Sequence, residues 1–293
     1  MEQSSVSTSL LIDVQDVTYT YPVQPRKVGR EQESPPVPAL RDISVRIQQG
    51  EYVVILGHNG SGKSTLARQC NALLLPDEGR VLVAGMDTRD PSCQRTIRER
   101  VGMIFQNPDN QLIATVVEDD VAWGLTVRGY AASEIRTRVD SALEAVGIAH
   151  LRQLPPHQLS GGQRQRLAIA GILALQPSCI IADEATSMLD PFSRQEMARL
   201  FATLHRELGL TIVQVTHLLE EAVYAERIVV MEQGRVLDDG TPAQIFGDLE
   251  RLRALKLIIP DPLRLVARLR RAGFDLAPGA VSNEEIAREI AHA

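Results

Sequence analysis

The spacing of apolar positions changes several times along this chain, and each change predicts an element. From Leu11 to Tyr21 apolar and polar residues alternate loosely, as in an opening strand. The stretch 23–38 is rich in Pro and charge and predicts an exposed loop between two strands. "ISVRIQQGE" alternates again and ends at a turn on Gly50, whereas "YVVILG" is the short unbroken apolar run of a buried parallel strand. An apolar helix is predicted from Lys63 to Leu75. From Asn107 to about Gln176 the period becomes helical, with Ser133 placed to cap a helix whose Ile135, Val139, Ala142, Leu143 and Val146 share one face. Strands and amphipathic helices then alternate: "CIIAD", Phe192 to Leu208, "TIVQVT", Leu218 to Ala225, "RIVVME" and "GRVLDDG". Such alternation predicts an α/β fold with a mainly parallel sheet covered by helices. After Gly240 the pattern loses its strands, and helices are expected near Leu249–Leu257, Pro262–Ala272 and Asn283–Ala291. The expected organisation is a domain over 1–240, with a helical subdomain at about 107–176, and a small helical appendage over 241–293.

Charge and composition narrow the possibilities. A net charge of −6 argues against nucleic acid as a partner, since phosphate backbones require a basic face. No apolar run reaches the ~18 residues a membrane span needs, and "MEQSSVSTSLL" is too acidic and too short in apolar character for a signal peptide. Cys70, Cys93 and Cys179 share no metal-like spacing, and two of them sit in apolar surroundings as small buried hydrophobes. A soluble protein of a reducing compartment is expected.

Two Gly-rich stretches carry chemistry. Gly57, His58, Asn59, Gly60, Ser61, Gly62, Lys63 and Ser64 fit G-x-x-x-x-G-K-[ST], with the apolar strand before and the helix after that such a loop requires. Glycines let the backbone wrap an anion so that successive N–H groups point at it, and the helix N-terminus adds partial positive charge. Lys63 suits the β- and γ-phosphates, Ser64 an Mg²⁺ ion, and Thr65 the α-phosphate region. Further on, Asp183 and Glu184 end the buried run "CIIAD". An acidic pair after a strand would equally start a helix, but beside a phosphate loop it assigns Asp183 to the Mg²⁺ shell and Glu184 to accept the proton of an attacking water.

The second stretch, Leu159, Ser160, Gly161, Gly162 and Gln163, opens another apolar helix and has no Lys. Ser160 and Gln163 form a capping box, which satisfies helix-end N–H groups but does not require two glycines. Side-chain-free positions at a helix N-terminus allow close approach of a phosphate, so this loop reads as one that closes over a nucleotide held by a second subunit.

"LSGGQ", preceded by the phosphate loop and followed by "IIADEATSMLD", resembles the signature of ATP-binding cassette (ABC) ATPases, and the resemblance spans residues 11 to about 240. It implies a P-loop fold of ABC type: a RecA-like parallel core, antiparallel strands near the N-terminus and a helical subdomain. It further implies that Gln106, in "GMIFQNPDNQ", joins the Mg²⁺ shell and that His217, in "VTHLLEEA", reaches the γ-phosphate. Asp190 would communicate across a dimer, and Tyr21 would stack on adenine, with Tyr19 as its rival. Two cassettes would meet head to tail, each ATP lying between one phosphate loop and the other signature loop.

The short span between Lys63 and Ser160 excludes the long coiled coil of a chromosome-maintenance ATPase, and the single cassette disfavours a tandem translation factor. Glu184 and His217 are both present, which disfavours a module that signals without hydrolysis. "FQNPDNQL", "ATVVEDDVAWGL", "AIAGILAL" and "DEATSMLDP" resemble the ATPase subunits of energy-coupling factor importers, and among these the first of the paired A components. The resemblance implies a related second ATPase in a heterodimer, a membrane T component, and S components that bind vitamins or metal ions. The ATPase of another import system is the alternative. Asn107 to Gln111 would line the groove that receives the T component, and the tail from Thr241, with a capping box at Ser282 and Glu285, would help join the ATPases.

Overall fold

The computed structural model describes residues 9–22, 37–274, 276, 286–288 and 290. Strands β3 (Tyr52–Leu56), β7 (Cys179–Asp183) and β8 (Thr211–Thr216) are buried at every position; β3 is accordingly a continuous apolar run and β7 one that ends in Asp183, whereas β8 buries Thr211, Gln214 and Thr216 among its apolar residues. With β6 (Val101–Ile104), β9 (Arg227–Glu232) and β10 (Arg235–Gly240) they form a six-stranded sheet in the order β10-β9-β3-β8-β7-β6. All neighbours in it are parallel except the β9–β10 hairpin. A second, antiparallel sheet takes the order β2-β1-β4-β5, from β1 (Leu10–Tyr19), β2 (Leu40–Gln48), β4 (Glu78–Val83) and β5 (Met86–Asp87).

Period-two alternation along β3 gives the sheet two cores. Val53 and Ile55 pack with the antiparallel sheet and with Leu66 and Ala67 of α1 (Lys63–Cys70). Tyr52, Val54 and Leu56 pack on the other face, with α3 (Val117–Val127), α5 (Gly161–Leu173) and α6 (Pro191–Leu208). Register then sets the site: Leu56 pairs with Thr216, and Asp183 with Val215. The residues that leave the carboxyl ends of β3, β7 and β8, namely Gly57, Glu184 and His217, therefore emerge side by side.

Several local expectations are corrected. The first helix stops at Cys70 instead of Leu75, because Ala72 turns left-handed at φ 55°. Ser133 is not a cap: α4 (Ala132–Ala145) starts one residue earlier, from Ala131 with no side-chain cap, and Arg138 stacking on Tyr130 closes that end. Leu219–Tyr224 winds as a 3-10 helix rather than an α-helix. Strands β4, β5 and β6 and helix α2 (Pro91–Arg100) had no counterpart in the pattern; α2 is started by Asp90, which accepts from the Ser92 N–H, and by Pro91.

The tail folds as α7 (Pro242–Phe246), α8 (Leu249–Ala254) and α9 (Asp261–Arg271). Its first part is no free appendage, since Leu252, Leu257, Ile259 and Leu263 belong to the same core as β3 and α6. Most of the expected loop at 23–38, the Ser282–Glu285 capping box and most of the expected Asn283–Ala291 helix lie outside the described residues. No helix among the described residues is long and apolar enough to cross a membrane.

Candidate nucleotide site

Two glycines of the phosphate loop have no room for a side chain. A Cβ at Gly57 would stand 2.3 Å from the Met231 carbonyl oxygen and 2.7 Å from Ser61 Oγ. Gly62 takes φ 102°, and a Cβ there would meet the Ala39 carbonyl oxygen at 2.6 Å. Gly60 is also left-handed, at φ 82°, but faces open space. Gly62 is the N-cap of α1 and offers no side chain to it. The first-turn N–H groups at Lys63, Ser64 and Thr65 therefore lack both an intrahelical acceptor and a side-chain cap, which suits an anion. Ser61 Oγ is buried beside them without a partner. His58 and Asn59 form the rim of the turn, with His58 Nδ1 2.6 Å from the Asn59 carbonyl oxygen.

Lys63 runs inward and is 3% exposed. Its Nζ donates to the His58 carbonyl at 3.0 Å and lies 3.8 Å from Glu184 Oε1. Burial pulls its pKa down, while the carboxylates of Glu184 and Asp183 push back. Asp183, at the end of β7, accepts from Ser64 Oγ at 2.5 Å through one oxygen and lies 3.7 Å from the Arg68 guanidinium through the other. Burial raises the Asp183 pKa, and Ser64 and Arg68 oppose that shift. Ser64 and Asp183 present only oxygen donors, as Mg²⁺ prefers. Arg68 was missed in the sequence reading, although its place one helical turn beyond Ser64 was a usable signal.

Glu184 follows with φ 50°, a left-handed conformation that is uncommon for a residue with a side chain. Its N–H donates across to the Val215 carbonyl at 3.0 Å, which holds the strained backbone in place. So fixed, its Oε1 sits 3.9 Å from His217 Nδ1, an atom that is buried and has no hydrogen-bond partner among the described residues. Lys63, at the head of α1, converges with Glu184 and His217, which leave the ends of β7 and β8.

Of the two tyrosines, Tyr19 is in the core at 8% exposure, whereas Tyr21 is 44% exposed. Tyr21 packs edge-on against Tyr19 and places its hydroxyl 3.0 Å from Thr65 Oγ1. Only Tyr21 has a ring face open to a base. Gln106 is exposed beyond β6. The next residues are not simply a polar groove lining. Pro108 is buried, Asn107 caps the Pro108–Asn110 turn, and the Gln111 side chain accepts from the Phe105 N–H and donates to the Met103 carbonyl. Asp109 is exposed and lies 3.1 Å from Arg164 in the first turn of α5.

At the signature loop, Leu159 is buried, and its carbonyl accepts from Arg164 at 2.8 Å. The Gln163 N–H donates to Ser160 Oγ at 3.3 Å and the Ser160 N–H to Gln163 Oε1 at 2.8 Å, so the capping box is formed. Neither Gly161 nor Gly162 has positive φ, and a Cβ on either would find only ordinary contacts at 3.5–3.6 Å. Asp190 caps α6, accepting from the N–H groups of Phe192 and Ser193, and the Ser193 hydroxyl holds its pKa low. Among the described residues no hydrogen bond or ion pair joins 159–163 to the phosphate loop. The structure thus gathers residues 57–65, Asp183, Glu184, His217 and Tyr21 at one end of the sheet, and holds the signature loop at the head of a separate helix.

A phosphate loop between strand and helix, a buried Lys, and a carboxylate pair at the end of β7, one strand removed from β3, define a P-loop nucleotide hydrolase, and the added signature helix makes it a cassette. The family model described as ABC transporter matches residues 40–187. The energy-coupling factor transporter ATP-binding protein EcfA1 of Symbiobacterium thermophilum is 48% identical over 286 residues, 97% of each chain. The protein of the same name from Caldanaerobacter subterraneus is 44% identical, over 96% of this chain and 99% of its own. Among solved structures, CbiO1 of Clostridium perfringens, part of the ABC transporter complex CbiONQ, superposes with TM-score 0.74 at 37% identity, covering 86% of this chain and 96% of that one. A dimeric cassette, MJ0796, in a post-hydrolysis state with ADP and Pi, superposes with TM-score 0.68 at 32% identity, over 79% and 98%. The chain belongs to the ABC transporter ATPases and, within them, to the energy-coupling factor transporter ATP-binding proteins.

Proposed function

We propose that this chain is the ATP-hydrolysing motor subunit of an energy-coupling factor import system, acting on ATP bound between its own phosphate loop and the signature loop of a second, related ATPase. It works at the cytoplasmic face of the membrane, attached through a membrane T component whose S components capture a vitamin or a metal ion. The observation that carries this reading is the convergence of Lys63, Glu184 and His217, with Glu184 Oε1 3.8 Å and 3.9 Å from the other two.

Each residue has a physical task there. The loop N–H groups and Lys63 Nζ take the β- and γ-phosphates, Thr65 Oγ1 the α-phosphate side, and the open face of Tyr21 the adenine ring. Glu184 receives the proton as water attacks the γ-phosphorus, and His217, whose Nδ1 has no hydrogen-bond partner among the described residues, holds the γ-phosphate side of that geometry. Mg²⁺, held by Ser64 Oγ and Asp183 with Gln106 at its edge, would neutralise charge on the phosphate oxygens when bound. The partner's Ser-Gly-Gly loop would complete the site, as Ser160, Gly161 and Gly162 would complete the partner's. Domain closure driven by ATP and reopened after hydrolysis would then move the docked membrane helices.

The test is Glu184→Gln in the purified transport complex. The isosteric amide accepts no proton, so ATP binding persists and turnover falls at least about 100-fold. Turnover within a few fold of wild type would remove Glu184 from the role of base.

A further inference from the structure

Beneath the site lies a buried polar chain that none of the nucleotide-binding motifs accounts for. Tyr52, Thr186, Gln214, Thr216 and Glu221 are each at most 2% exposed. The Tyr52 hydroxyl donates to Gln214 Oε1 at 2.6 Å, and Gln214 Nε2 donates to Glu221 Oε2 at 2.8 Å. The Thr186 hydroxyl donates to Glu221 Oε1, while the Thr216 hydroxyl, on the same strand as Gln214, accepts from the Leu218 N–H. Both contacts to Glu221 treat it as an acceptor, which is the chemistry of a carboxylate and not of an amide.

The positions of the donors give the network its meaning. Thr186 is two residues beyond Glu184, in the turn where the Ser187 N–H returns to the Glu184 carbonyl. Thr216 immediately precedes His217, and Gln214 lies on the same strand, β8. Tyr52 anchors the far end at the start of β3, the strand that runs into the phosphate loop. A single carboxylate thus binds the segment carrying the water-activating group to the segment carrying the switch histidine. Burying a charged group in an apolar core is costly unless every lone pair is met, and an apolar side chain would pack there without that cost. Burial duly raises the pKa of Glu221, and the hydrogen bonds from Thr186 and Gln214 oppose it.

We propose that Glu221 is a positioning residue for the hydrolytic step: its carboxylate, through Thr186 on one side and Gln214 of β8 on the other, sets the distance between Glu184 and His217. The proposal rests on the assignment of Glu184 and His217 as the groups that act on water and γ-phosphate. It concerns kcat and not ATP affinity, because no member of the network reaches the phosphate loop. Misplacing a catalytic group by about 1 Å costs on the order of 100-fold in rate, so partial loosening has a readable effect.

The direction of the hydrogen bonds supplies the test. Glu221→Gln presents an amide NH₂ to one of two donors, so one partnership must break or reverse. Gln214→Glu together with Glu221→Gln restores the chain with the charge moved one link: the Tyr52 hydroxyl to an oxygen at 214, an amide at 221 donating to that carboxylate, and Thr186 to the amide oxygen. Thr186→Val deletes one donor at nearly constant shape, and Thr186→Ser keeps it. ATP turnover and thermal midpoint would be measured for each in the full-length chain within its transport complex, with Glu184→Gln in parallel. Thr186→Val and Glu221→Gln are expected to lower kcat about tenfold or more with KM for ATP within about twofold. Thr186→Ser and the double swap should return kcat to within about threefold of wild type. If Glu221→Gln does not fold, Thr186→Val and Thr186→Ser carry the test alone. A Thr186→Val complex with kcat within about twofold of wild type, whatever its melting temperature, overturns the inference. So does a folded double variant no better than its worse single. If Glu184→Gln itself keeps turnover, the base assignment fails first; if it is inactive while Thr186→Val is normal, only the role of Glu221 falls.

Discussion

The two Gly-rich loops both lie at the N-terminus of a helix, yet their glycines answer to different demands. In the phosphate loop, Gly57 and Gly62 are required by this chain alone: a Cβ would strike backbone oxygens at 2.3 Å and 2.6 Å, and Gly62 is left-handed. The helix they open has no side-chain cap, so its first N–H groups await an external anion. In the signature loop the helix is already capped by Ser160 and Gln163, and Gly161 and Gly162 adopt ordinary backbone angles with room for a methyl group. Nothing among the described residues demands glycine there. On the function proposed above the demand comes from outside, from a nucleotide on a second cassette. One loop is built to fold around its ligand; the other is built to stay bare until a partner arrives.

That contrast can be broken experimentally, and the largest effect should come from the phosphate side. Lys63→Ala removes the buried ammonium that faces the phosphates, and turnover at this chain's own site should fall at least about 100-fold in an ATPase assay of the complex. Activity within a few fold of wild type would mean that the phosphate charge is met elsewhere.

Next in size is the difference between alanine substitutions in the two loops. Gly62→Ala forces an L side chain into a left-handed conformation against a carbonyl and should cost about 3 kcal/mol of stability, lowering the melting temperature by roughly 5–10 °C. Gly161→Ala should leave the melting temperature unchanged or raise it slightly, because alanine is the better residue in a helix by up to about 1 kcal/mol. Its turnover in the complex should nevertheless fall. Equal melting-temperature losses in the two variants would erase the distinction.

A smaller effect is expected where the two halves of the chain communicate. Asp109 lies just after Gln106 and reaches Arg164, whose other nitrogen holds the carbonyl of Leu159 in the signature loop. Asp109→Arg should loosen that link and uncouple solute uptake from ATP hydrolysis, with ATP affinity within about twofold of wild type. The exposed pair contributes little to stability, so the melting temperature should hardly change. Normal uptake at normal ATP consumption would show that this segment transmits nothing.

Much of this site could be read along the sequence because its chemistry is local. The phosphate loop, the Asp183–Glu184 pair and the Ser160–Gln163 box each fit within a few consecutive residues, and the buried strand β3 announced itself as an unbroken apolar run. What escaped was set by contacts between distant segments. Helix α2 buries only Ile97, so it carries no apolar stripe to detect. The choice between Tyr19 and Tyr21 depends on which ring the core covers. Glu221 reads as a helix-surface residue in "HLLEEA" until β3, β8 and the turn after Glu184 are folded around it. The tail looked detachable because its helices are short and Pro-broken, but Leu252, Leu257, Ile259 and Leu263 close the main core, so deleting 241–293 would remove part of the fold and not merely an assembly element.

The central claim is that the two loops of one chain serve two different nucleotides. Photo-crosslinking of labelled ATP, read separately on this chain and on its partner ATPase in purified complexes, tests it most directly. Lys63→Ala should abolish label on this chain and leave it on the partner. Gly161→Asp, which puts a carboxylate at the face meant for the partner's phosphate, should leave label on this chain and impair closure and turnover at the partner's site. If both substitutions abolish the label of this chain and spare the partner, the loops serve the same nucleotide, and the account of a divided site is wrong.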